Sequence, residues 1–112
     1  MRDCTVLQRC TTPRHIIRFP DDPDTYESVL ISYVQHGTII LTKTKEDLAF
    51  EGNYGSWRLT EAETALFSPG KVCVEVRVHT VSGVTPSAYQ KEIPVRDVFN
   101  DETLDGSDGD AP

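Results

Sequence analysis

The stretch Lys71-Val72-Cys73-Val74-Glu75-Val76-Arg77-Val78-His79-Thr80-Val81 places a valine at every second position and puts Cys73, Glu75, Arg77 and His79 in the gaps. A period of two belongs to a β-strand, because successive side chains point to opposite faces of the pleat. Four β-branched residues on one side need a second layer to cover them, whereas the charged side can stay in water. The strand is therefore expected to be half buried in a layered β-structure.

Working outward, Arg14-His-Ile-Ile-Arg-Phe19 reads as a strand stopped by Pro20-Asp-Asp-Pro-Asp24, where two prolines and the aspartates between them favour a loop. The three carboxylates there have no fixed metal-ligand spacing. Residues 26–35 and 38–43 are two further strands, and His36-Gly37 between them predicts a hairpin turn. Residues 48–51 and 56–60 predict a second hairpin with Gly52-Asn-Tyr-Gly55 as a four-residue loop, and Trp57 and Leu59 share a side that should be core. In Thr60-Glu-Ala-Glu63 the hydroxyl and the carboxylate sit at the spacing of a capping box, which starts a helical turn reaching about Leu66. Ser82-Gly83 is a turn, and Val84 to Val95 returns antiparallel, with Pro86 and Pro94 marking an edge strand. The fold expected is an all-β antiparallel sandwich of immunoglobulin-like layer arrangement, with about seven strands and one short helical turn. A small closed barrel is the competing architecture.

The chain has 112 residues, enough for one core, and divides into a lead-in at 1–11, the β-sandwich domain at 12–102 and an acidic tail at 103–112 that should be flexible. The formal charge of −7 is unevenly spread. Asp101, Glu102, Asp105, Asp108 and Asp110 account for five of the 18 acids, leaving 13 acids against 11 bases, or −2, in residues 1–99. A nearly neutral body argues against nucleic acid, which needs a clustered basic face. Neither a secretory h-region nor a bilayer-length apolar run is present, so no membrane partner is expected. Cys4, Cys10 and Cys73 are an odd number without C-x-x-C spacing. They read as reduced thiols, a Cys4–Cys10 pair being the alternative.

No catalytic constellation can be assembled. His15, His36 and His79 fall in a strand, a turn and a strand, with no second His or Cys at ligand spacing, and the sequence contains neither a nucleophile elbow nor a glycine-rich phosphate loop. Asp105-Gly-Ser-Asp-Gly-Asp110 fails as a calcium loop because Gly109 occupies a ligand slot. The expectation is no enzyme, no cofactor and no metal. Glu75, Arg77 and His79 form a charged stripe that is either a solvated face or a docking surface; with Tyr89 and Lys91 on the returning strand, they are the candidate interface residues.

Thr12-Pro13, Ile31-Ser-Tyr-Val-Gln35, Leu41-Thr-Lys-Thr44, Glu51-Gly-Asn53, Leu59-Thr-Glu-Ala-Glu-Thr64, Val74-Glu-Val-Arg-Val78 and Asn100-Asp-Glu102 occur in that order. Over residues 12–102 the chain thereby resembles a family of small proteins encoded among virion genes of phages and prophages of Firmicutes. These are distantly similar to the β-sandwich domain that opens phage baseplate upper proteins. The resemblance implies a phage or prophage structural protein of the tail, baseplate or head surface. It would be made in the host cytoplasm, reside in the virion, and act through contacts with other virion or tail proteins and through self-association. A stand-alone recognition module for a host glycan or protein is the alternative, with Tyr26, Tyr54, Trp57 and Tyr89 as stacking residues.

Overall fold

The computed structural model describes residues 6–86 and 88–97. The expected acidic tail at 103–112 and Cys4 lie outside them. Among the described residues eight strands are formed: β1 (Leu7–Gln8), β2 (Arg14–Arg18), β3 (Tyr26–Gln35), β4 (Thr38–Thr44), β5 (Ala49–Glu51), β6 (Tyr54–Arg58), β7 (Gly70–Thr80) and β8 (Tyr89–Arg96). One helical turn, α1 (Glu61–Thr64), sits between β6 and β7. The strands make a five-stranded sheet in the order β1-β8-β7-β3-β4 and a three-stranded sheet in the order β2-β6-β5. The expected antiparallel β-sandwich is what the chain forms.

The valine ladder faces inward as its period requires. Val72, Val74 and Val76 are buried, and burying each contributes about 2 kcal/mol. Opposite them the three-stranded sheet contributes Ile17 and Trp57, and Tyr33, Phe67 and Ile93 complete one contiguous core. Val78, nearer the strand end, is only partly covered.

The first hairpin closes as expected. Gln35 pairs with Thr38, and His36 and Gly37 both take the left-handed backbone (φ 52° and 75°) that a primed two-residue turn demands. Thr60 Oγ1 accepts from Glu63 N–H at 3.1 Å, while Glu63 Oε1 accepts from Thr60 N–H at 2.9 Å, so the capping box is complete. Glu63 also accepts from Lys43 Nζ at 2.7 Å, tying the turn to β4.

Three expectations are corrected. The second hairpin has a two-residue connection, Gly52-Asn53, because Tyr54 and Gly55 already belong to β6. Gly55 is a packing residue: a Cβ there would stand 2.8 Å from Phe19 Cε2, so the aromatic ring is seated against bare backbone. The described part of the lead-in, residues 6–11, is not outside the core. Leu7 is fully buried, and β1 runs parallel to the end of β8 through Leu7–Val95 and Gln8–Arg96. Arg9 pins this segment by donating to the Phe67 and Ala65 carbonyls, at 2.7 and 3.0 Å, and to Asp97 at 2.6 Å. A strand of two residues is too short to show a period. The returning strand, finally, starts at Tyr89 rather than Val84.

Candidate functional site

The most distinctive polar cluster lies inside the sandwich. His15 on β2 points inward between the sheets and is fully buried. Its Nδ1 shares a short hydrogen bond with the Tyr33 hydroxyl of β3, which also accepts from Trp57 Nε1–H of β6 at 2.8 Å. Burial pushes the His15 pKa down to about 4, so the ring is neutral at pH 7. Among the described residues its Nε2 has no hydrogen-bond partner. The cluster stitches one sheet to the other, and His15 does not line the cavity on the outer face of the three-stranded sheet.

The outer face of the three-stranded sheet has a different character. The pleat that turns His15 and Ile17 inward turns Arg14, Ile16 and Arg18 outward, and the same alternation on β6 presents Tyr54, Ser56 and Arg58. The register arranges them in three rows. Arg14 stands opposite Arg58; Ile16, Ser56 and Ala49 form a small, nearly neutral middle; Arg18, Tyr54 and Glu51 form the far row. A shallow cavity of about 340 Å³ lies on this face, lined by Arg14, Ile16, Ala49, Glu51, Tyr54 and Ser56 together with Phe50.

Like charges directly opposite each other on paired strands are unfavourable. Arg14 donates to Ser56 Oγ at 3.1 Å and Arg58 to the Thr12 carbonyl at 2.8 Å, which holds both guanidinium groups in place without neutralising them. Among the described residues no carboxylate pairs with Arg14, Arg18 or Arg58; the ion pairs lie elsewhere, at Arg9–Asp97, Lys43–Glu63 and Arg77–Glu75. The sequence reading missed this face. The pattern was present in Arg14-x-Ile16-x-Arg18, but Arg58 joins it only through the β2–β6 register.

The five residues expected to form an interface do not share a surface. Glu75, Arg77 and His79 lie on the outer face of the five-stranded sheet, as their spacing requires. Tyr89 pairs with Val76 and Lys91 with Val74, which puts both on the inner side of β8. The stripe also satisfies itself: Gln90 Nε2 donates to Glu75 at 2.8 Å, Arg77 lies 3.6 Å from Glu75, and His79 Nδ1 bonds Thr85 Oγ1 at 2.7 Å. Of the aromatic residues considered for stacking, Tyr26 and Trp57 are buried at 1% and 3% exposure, leaving Tyr54 and Tyr89 at the surface. Cys73 is a free thiol on the outer side of β7. Among the described residues no group of three or more His, Cys, Asp or Glu side chains comes together to hold a metal ion.

No family model and no curated protein matches the chain. Among solved structures it is similar to CopC from Methylosinus trichosporium OB3b, with a TM-score of 0.53 and 17% identity over 86% of this chain and 88% of that one. At that identity the likeness carries the sandwich fold and nothing of its chemistry. The functional expectation is corrected here: the structural likeness found is to CopC, and no comparison supports a phage tail, baseplate or head-surface role.

Proposed function

We propose that the chain is a binding module that recognises an acidic segment of a protein partner through the outer face of its three-stranded sheet. One observation carries this reading: Arg14 and Arg58 are held directly opposite one another, with no carboxylate paired to either among the described residues. A carboxylate set between two such forks accepts charge-assisted hydrogen bonds from both and removes their mutual repulsion. Ile16 and Ala49 supply a small apolar floor beside the forks, and Tyr54 and Arg18 extend the contact along β2 and β6. Nucleic acid fits less well, because three arginines beside Glu51 in a chain of charge −7 make a local patch and not an extended basic groove. The reading assigns no reaction to the chain.

The test is fluorescence anisotropy of a labelled Asp/Glu-rich peptide titrated with the full chain at low and at physiological salt. Binding that weakens with salt is expected, along with a loss of about tenfold in the Arg14→Gln/Arg58→Gln double variant. Equal binding by that variant, or no binding at low salt, overturns the proposal.

A further inference from the structure

Residues 98–112, which follow the last described residue, carry Asp101, Glu102, Asp105, Asp108 and Asp110 and no base. They continue directly from Asp97, whose place in the fold is well defined. Arg9 donates from its amide to the Arg96 carbonyl at 2.8 Å and from Nη1 to the Asp97 carboxylate at 2.6 Å. Thr11 Oγ1 donates to the Gln8 carbonyl at 2.6 Å, which folds residues 8–11 into a turn leading towards β2. The next residue, Thr12, supplies the carbonyl that accepts from Arg58 Nη1 at 2.8 Å. From the Arg9 anchor to the Arg58 anchor is thus a path of three residues, at most about 11 Å. β8 therefore delivers the acidic segment beside the Arg14–Arg58 row.

Reach and charge both match. Asp101 lies four residues beyond Asp97, a span of up to about 14 Å, and the face from Arg14 to Arg18 is four strand residues long, a similar distance. Arg14, Arg18 and Arg58 are exposed with no described carboxylate on any of them, whereas Arg9, Lys43 and Arg77 already stand beside Asp97, Glu63 and Glu75. We propose that residues 101–110 cover the arginine face of their own chain, so that an acidic partner must displace them. This rests on the reading of that face as a site for acidic segments and adds its regulation. Tethered a few residues away, the segment is presented at an effective concentration of about 1 mM, so an intrinsic dissociation constant of about 0.5 mM keeps the face covered about two-thirds of the time. A partner then binds about threefold more weakly than it would to the open face.

The test compares the full chain with a full-length variant carrying Asp101→Asn, Glu102→Gln, Asp105→Asn, Asp108→Asn and Asp110→Asn. At low salt the neutralised variant should bind the labelled Asp/Glu-rich peptide about threefold more tightly than the parent, with the gap narrowing as salt screens the segment's own hold. Backbone amide resonances of β2 and β6 should differ between the two proteins, and that difference should vanish when both also carry Arg14→Gln/Arg58→Gln. Equal, measurable peptide binding by parent and neutralised variant overturns the self-covering while leaving the acidic-segment reading intact. Peptide binding to neither protein, with the β2 and β6 differences present, supports the self-covering and overturns that reading instead. Amide differences that miss β2 and β6, or that disappear on dilution because the segment comes from a second copy, also overturn it.

Discussion

The two outer faces of the sandwich use charge in opposite ways. On the five-stranded sheet Glu75 receives Gln90 and stands beside Arg77, and His79 bonds Thr85, so the polar groups answer one another. On the three-stranded sheet Arg14 opposes Arg58 and no described carboxylate answers either. A charged stripe visible in one strand therefore says little about a binding surface, because the neighbouring strands decide whether its charges are already satisfied. Unanswered like charges across a ladder are the more informative pattern, since they cost stability in the free protein and gain it back only with a partner.

That contrast requires both sheets to be held rigidly by one core, and the largest effects should come from breaking it. Tyr33→Phe removes the hydroxyl shared by His15 and Trp57 and leaves buried polar atoms on two strands unpartnered. A loss of about 3 kcal/mol in urea unfolding is expected, and a loss below about 0.5 kcal/mol would mean the cluster does not join the layers. Acid should act on the same cluster. The unfolded ring of His15 takes up a proton as pH falls through 6.5, but the folded ring does so only near 4, so the native state binds fewer protons in that window. Stability is thus full above pH 6.5 and should decline by about 3 kcal/mol on reaching pH 4. Glu63 adds to the loss at the acid end: burial pushes its carboxyl up, but the bonds from Lys43 and Thr60 outweigh this and leave it lowered. A pH-independent unfolding free energy across this range would contradict the buried neutral imidazole.

Smaller changes separate the faces themselves. Gly55→Ala forces a methyl group onto the Phe19 ring behind the arginine face and should cost about 2 kcal/mol in thermal or urea unfolding, with Ser56→Ala nearby as a milder reference. Arg14→Gln should leave stability unchanged or raise it by about 0.5 kcal/mol, because a like-charge pair is relieved. Arg77→Gln on the opposite sheet should instead lower it by about 0.3 kcal/mol, because an exposed attraction is lost. If both substitutions shift stability in the same direction, the distinction between the faces does not hold.

Much of the sandwich was legible in local pattern. The period of two at Val72, Val74 and Val76, the His36-Gly37 turn and the Thr60–Glu63 capping box each act within a few residues, and all are found in place. Leu7 was not legible as core, because a two-residue strand has no period and is placed by its pairing with β8, some ninety positions away in the chain, and by the Arg9 bonds beside it. Gly55 looked like a loop residue because its requirement comes from the ring of Phe19, just past the end of β2 and far from it in the chain. That Tyr89 and Lys91 lie on the other side of the sheet from Glu75, Arg77 and His79 was hidden for a related reason: a strand's own spacing shows which residues share a side, but its register with β7 shows which side faces the core.

The sequence by itself determined that strands would form, where the His36-Gly37 turn and the helical turn fall, and that a valine ladder would seek cover, since dihedral preferences and side-chain alternation are local properties. Tertiary structure alone decided that Arg14 meets Arg58 and that His15 is sealed neutral beside Tyr33. Those facts depend on which strands become neighbours and in what register, and that choice is made by the packing of the whole core at once.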